Sequence, residues 1–259
     1  MSSLSNRLLI VGLLVVFAQP GRSHAADAPT PGTFTVKGVK LHYVVAGKGE
    51  PVVLIHGLHS SIELNWQVTS VVGLLAADHQ VIALDLPGHG QSDKPDKDDA
   101  YGGQMVEDVV TLMDHLKVSK AHIVGYSMGG MVAVKFLTKH PDRALSGTLG
   151  GMGWLRDGSG LQKVWELMGA RDAGRTPAAC VRNIGKLAVS EDELKAIKIP
   201  VTMLVGDRDP CRKMYVEPAK AVRKDWPVVE IADASHINCI VKEQFRLEIS
   251  KWIAKNTKK

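Results

Sequence analysis

The sequence predicts an α/β protein: a mostly parallel central sheet with helices on both faces. Two observations carry this. Continuous apolar runs at Pro51–His56, Gln80–Leu86, Ala121–Tyr126, Leu145–Leu149 and Val201–Val205 have the character of strands buried on both sides. Helical patterns separate several of them, and strands alternating with amphipathic helices pack as a parallel sheet covered above and below. At 259 residues, 45% of them hydrophobic and 23% charged, the chain is long enough to bury a sizeable core.

The first stretch stands apart from this rhythm. Arg7 precedes an apolar run from Leu8 to Ala18. Gln19-Pro20-Gly21 then breaks any helix, and Ser23-His24-Ala25-Ala26 offers the small residues a signal peptidase accepts. A membrane span needs about 20 apolar residues, so residues 1–26 are expected to be a signal peptide and the mature protein secreted or periplasmic, with no stable membrane span. The remaining chain, 27–259, is expected to form a single domain.

Strand-like runs at Thr33–Val36 and Val39–Val45 flank Lys37-Gly38, a hairpin turn pair. Met105, Val109, Leu112 and Leu116 fall at helical spacing, with Glu107, Asp108 and Asp114 on other faces. Residues 151–195 are punctuated by glycine, with helical patches at Leu161–Met168 and Ala178–Leu187, and form either a small lid over the sheet or a long ordinary connection. Val228–Ile231 is a shorter strand candidate. Val241, Phe245, Ile249 and Trp252 make an apolar stripe for a last helix.

Formal net charge is +5, and loss of Arg7 and Arg22 with the signal leaves +3. The basic residues are scattered apart from the Lys255–Lys259 tail, so no nucleic-acid surface is indicated. The three cysteines, Cys180, Cys211 and Cys239, match no zinc spacing.

The chemical signal is Gly125-Tyr126-Ser127-Met128-Gly129. It follows a buried strand and opens a helical run through Met131–Lys139, the strand–turn–helix placement a nucleophile elbow requires. The tight turn lifts the serine hydroxyl clear of the sheet. A serine hydroxyl is a weak nucleophile at neutral pH and needs a base, itself oriented by a third group. Among ten histidines, His89 belongs to a Pro-Gly-His-Gly turn, His140 to a helix end and His115 to a helix. His236 stands in a short loop after the last strand candidate. Two acids, Asp207 and Asp209, compete for the third role just beyond Val201–Val205, and Asp233 is too near His236 in sequence.

On these motifs the chain resembles the α/β-hydrolase superfamily, in its serine-nucleophile, esterase- or lipase-like form with a short lid. His56-Gly57 looks like the oxyanion-loop element, Asp85-Leu86-Pro87-Gly88-His89-Gly90-Gln91-Ser92 like the D-x-P-G-x-G-x-S segment, Gly206-Asp207-Arg208-Asp209 like the acid loop and Ala234-Ser235-His236 like the terminal histidine loop. The resemblance implies the α/β-hydrolase fold, with Ser127, Asp209 and His236 as catalytic triad. The backbone N–H of Met128, the residue after the nucleophile, and that of Leu58 would form the oxyanion hole. No cofactor or metal is needed, and the partner expected is a small-molecule acyl substrate. The glycine often found shortly before the catalytic histidine is missing here. Leu58, Met128 and Trp154 line an apolar pocket or are plain core. With the triad formed, the loops carrying Cys211 and Cys239 would approach, and a bridge between these two is the favoured disulfide.

The function expected is hydrolysis of a carboxylic ester or similar acyl group through an acyl-serine. Relatives that hydrolyse carbon–carbon bonds or form peracids with the same residues supply one alternative, and a non-catalytic binding protein on the same scaffold another. An aspartate nucleophile is disfavoured by the serine at 127. Substrate identity and oligomeric state are left open.

Overall fold

The computed structural model describes residues 28–168 and 176–257. The expected signal peptide therefore lies outside the described residues. The chain opens with β1 (Thr30–Val36) and β2 (Val39–Ala46), joined at Lys37 (φ 48°) and Gly38 (φ 80°). Two successive left-handed residues give the twist that an antiparallel hairpin needs. Six more strands follow: β3 (Glu50–Ile55), β4 (His79–Leu84), β5 (Ala121–Tyr126), β6 (Ala144–Gly150), β7 (Val201–Gly206) and β8 (Val228–Ile231). They form one sheet in the order β1-β2-β4-β3-β5-β6-β7-β8. Only β1–β2 and β2–β4 pair antiparallel; all other neighbours are parallel.

The continuous apolar runs are explained by two cores. On β3, Val53 and Ile55 enter the layer shared with α2 (Gly103–His115) and α3 (Met128–Lys139). Val52 and Leu54 enter the opposite layer, with α1 (Val71–Leu75) and α8 (Glu243–Asn256). All four side chains are fully buried, each stabilising by about 1.5–3 kcal/mol relative to exposure. A polar residue at any of them would lose that and strand a polar group in the core.

Three expectations change in detail. The helix after Ser127 begins at Met128, three residues earlier than its apolar pattern suggested. The stripe of α8 is Phe245, Ile249 and Ile253, whereas Val241 precedes the helix and is exposed. The expected Cys211–Cys239 disulfide is absent: all three cysteines are free and buried. The Cys211 thiol contacts the Asp209 carboxylate and that of Cys239 the Tyr126 hydroxyl, so each sulfur is turned to its own partner.

Between β6 and β7 the chain carries α4 (Gly160–Met168), α5 (Ala178–Asn183) and α6 (Glu191–Ala196). A reciprocal Ser190–Glu193 capping box starts α6. The Trp165 indole N–H of α4 donates to the Tyr215 hydroxyl at 3.1 Å, fastening this segment to the stretch before α7 (Glu217–Val222). No helix among the described residues is long and apolar enough to cross a membrane.

After β3 the chain adds β4 on one side and β5 on the other. Such a reversal leaves a crevice beyond the carboxyl ends of the strands, where open α/β sheets bind their ligands.

Candidate active site

Ser127 leaves β5 with φ 53° and ψ −120°, a left-handed conformation that is strained for a residue with a side chain. Crowding enforces it. A Cβ on Gly125 would fall 2.1 Å from the Gly129 carbonyl oxygen, and one on Gly129 2.1 Å from that of Ile55. Both glycines of the pentapeptide are thus required by backbone contact, and the Ser127 N–H is tied to the Gly150 carbonyl at 2.8 Å. Ser127 remains partly exposed at the strand end.

Two loops, after β7 and β8, deliver the partners. The Ser127 hydroxyl donates to His236 Nε2 at 2.9 Å, and His236 Nδ1 donates to Asp209 Oδ2 at 2.8 Å. Asp209 is buried, and its other oxygen accepts the Cys211 N–H at 2.8 Å. The competitor Asp207 points elsewhere: its carboxylate accepts the N–H groups of Ala234 (2.8 Å) and Asp233 (2.9 Å). Those amides hold its pKa below the usual carboxylate range. Asp207 thus braces the histidine loop and Asp209 meets the imidazole. Asp209, Cys211 and His236 bring potential metal ligands within 4.8 Å of one another. The imidazole and carboxylate are already satisfied by each other, so the group has the bonding pattern of an acid–base pair.

The expected oxyanion donors stand in the turn after β3 and at the start of α3. The Leu58 and Met128 N–H groups meet no acceptor among the described residues and remain available to a ligand. The preceding amide, Gly57 N–H, is taken by Asn65 Oδ1 at 2.8 Å, from the short helical turn Glu63–Gln67. His56 is entirely buried, donating from Nδ1 to the Gly57 carbonyl (2.8 Å) and accepting the Leu86 N–H at Nε2 (3.0 Å). Burial lowers its pKa, which favours this neutral tautomer. Burial, reinforced by His56, pushes His89 down to about 3. Met128 and Trp154 are core residues and Leu58 packs against the same core cluster from a half-buried position, which answers the pocket-or-core question largely in favour of core.

The Asp85–Ser92 segment supports the site from behind. Asp85 accepts Ile62 N–H (2.8 Å), Gln91 N–H (3.0 Å) and His42 Nδ1–H (2.8 Å), pinning the turn region after β3 to β2. Sequence reasoning missed Asn65, whose role depends on the turn folding back over Gly57. It also missed Tyr126, visible only as the variable position of the motif. Tyr126 donates its hydroxyl to the His236 backbone carbonyl at 2.5 Å.

Comparison with known proteins places the chain by family and fold. A family model described as the alpha/beta hydrolase fold matches residues 50–178, from β3 through the elbow and into the segment between β6 and β7. The chain is 38% identical over 155 residues to the dihydrolipoyllysine-residue acetyltransferase component of the acetoin cleaving system of Pseudomonas putida, covering 56% of this chain and 40% of that protein. It is 39% identical over 111 residues to a soluble epoxide hydrolase of a Corynebacterium species, covering 41% of this chain and 36% of the relative. The chain thus matches less than half the length of these curated relatives. Among solved structures, the enol-lactonase of Burkholderia xenovorans LB400 superposes with a TM-score of 0.71 at 21% identity, covering 86% of this chain and all of the other. Its likeness is one of fold. Elbow, strand order and family match together make this chain a member of the α/β-hydrolase superfamily.

Proposed function

We propose that the protein is a serine hydrolase that cleaves a carboxylic ester, or a similarly activated acyl group, through an acyl-serine intermediate. The observation that carries this reading is the unbroken chain of hydrogen bonds from Ser127 through His236 to Asp209. Ser127 attacks the acyl carbon while His236 takes its proton. Asp209 holds the imidazole with Nε2 toward the serine and offsets the charge it gains. The Leu58 and Met128 amides receive the developing oxyanion, a contribution typically worth about 2.7–4 kcal/mol per donor. The protonated His236 then returns its proton to the leaving group and activates water for deacylation.

Ser127 is partly exposed and the His236 side chain is 28% exposed, which supports turnover over a binding scaffold with a sealed site. The relatives named above act on varied substrates, and the acyl group of this one is set by experiment. Hydrolysis of p-nitrophenyl esters from acetate to palmitate, by the wild type and by Ser127→Ala, tests the reading. Turnover that disappears in the variant supports it, and equal inactivity of both proteins on every ester discards the general esterase assignment. We further propose, from residues 1–26, that the protein is exported. A mature N-terminus near residue 26 or 27 in the purified native protein supports this, and a retained Met1 contradicts it.

A further inference from the structure

The catalytic base stands in an exposed loop, with Ile237 beside it 87% exposed. A base on such a loop keeps its geometry only if something rigid holds it, and the loop lacks the glycine that would shape its backbone. Asp207 fixes the amides at 233 and 234, and Asn238 Oδ1 accepts the Ser235 N–H at 2.6 Å. Neither reaches His236 itself.

Tyr126 does, in two ways. Its hydroxyl donates to the His236 carbonyl at 2.5 Å. Its ring lies along the imidazole, with centroids 5.6 Å apart and planes 27° from parallel. Tyr126 is itself immobilised: it is the last residue of β5, 4% exposed, and packs edge-on against Phe245 of α8 at 5.5 Å and 87°. Gly151 (φ 59°), just after β6, leaves room where the two rings meet. A Cβ there would fall 3.1 Å from His236 Cε1 and 3.2 Å from both His236 Nδ1 and Tyr126 Cζ.

We infer that Tyr126 is a positioning residue for the reaction, locking His236 into register with Ser127 from the preceding position, the last of β5. This rests on the serine-hydrolase reading above. The nucleophile and the anchor of its base are consecutive residues, so β5 sets the Ser127–His236 distance independently of how the exposed loop moves. The face of Tyr126 also lies beside the charge that His236 gains when it accepts the serine proton, and a π face favours a cation. The hydroxyl acts on loop position and the ring on both position and charge, so two substitutions separate them. Tyr126→Phe keeps the ring and removes the bond to the carbonyl, and Tyr126→Leu removes both.

The test measures labelling of Ser127 by a fluorophosphonate probe, a reaction that needs the activated serine and no particular ester, alongside kcat, KM and Tm. Labelling and kcat are expected to fall about tenfold in Tyr126→Phe, with KM within about twofold and Tm nearly unchanged, and about a hundredfold in Tyr126→Leu. A purely structural role would lower Tm and the labelled fraction together, leaving the rate per folded molecule intact; that result overturns the inference. Equal labelling rates in wild type and Tyr126→Phe overturn it too, while leaving the serine mechanism standing. A wild type that is folded but never labelled removes both.

Discussion

Asp108 offers a quantitative test of how the core around α2 is balanced. It is 3% exposed, and its one side-chain hydrogen bond among the described residues is the donation from Gln104 Nε2 at 2.9 Å. Gln104 Oε1 in turn accepts from Lys37 Nζ at 2.7 Å. Burial pushes the carboxyl up to about 7, against the partial relief given by Gln104 and Lys37. A group whose folded pKa is raised contributes stability that is complete below its unfolded pKa and is lost as pH rises through the folded one. With an unfolded value near 3.9 that window runs from about pH 4 to 7, and the loss reaches at most about 4 kcal/mol. Asp108→Asn keeps the acceptor for Gln104 and removes the ionisation. Its gain over wild type should be about 1.5 kcal/mol at pH 5 and about 4 kcal/mol at pH 8, the latter equivalent to about 8–16 °C in Tm. Urea unfolding followed by tryptophan fluorescence across this range measures it. An offset independent of pH, or a loss of stability at pH 8, would refute the reasoning and assign Asp108 a favourable charge interaction with Lys37.

The buried histidines act in the opposite direction. His89, held near 3 by burial, and His56 and His122, also lowered, each contribute stability present above about pH 6.5 and lost on acidification. In Asp108→Asn, where the opposing contribution is gone, stability between pH 6 and 4.5 should fall by about 1.3 kcal/mol per pH unit from His89 alone, with His56 and His122 acting in the same direction; a flat profile would contradict their burial as neutral groups. Asn65→Ala frees the Gly57 amide and should lower kcat about tenfold with little change in KM, while Asn65→Asp, which keeps an acceptor at the same place, should recover most of it. A change in KM alone would assign Asn65 to substrate binding instead. Thiol titration of the purified chain in denaturant, without reductant, should count three free cysteines, and a count of one would restore the disulfide.

Much of the fold was legible because it rests on local patterns. A strand buried on both faces carries mostly apolar residues, so β3, β4, β5, β6 and β7 announce themselves as apolar runs despite buried polar residues such as His122 and Thr148, and Lys37-Gly38 marks the hairpin by its need for left-handed backbone. The boundaries were less legible. Val241 has the spacing of the α8 stripe, but the chain reaches the helix only at Glu243, and Ile253 takes the buried place the pattern gave to Trp252. Ser127, Asp209 and His236 were recoverable because each follows a strand at a position that the motif order marks. Asn65, Tyr126 and Gly151 were not, because their roles arise between elements distant in sequence. Gly151 supplies clearance beside the imidazole that would otherwise be sought within the histidine loop itself. The cysteine pairing failed for the same reason: neighbouring loops were foreseen, but side-chain direction was not.

The central claim is covalent: an acyl group passes through the Ser127 oxygen. Rapid acid quenching of the enzyme during turnover of p-nitrophenyl acetate, followed by peptide mass spectrometry, tests it most directly. The account predicts an acetyl adduct on the peptide carrying Ser127, absent from Ser127→Ala, whose turnover falls at least about a thousandfold. Turnover with no adduct at Ser127, or undiminished turnover by the variant, would contradict it.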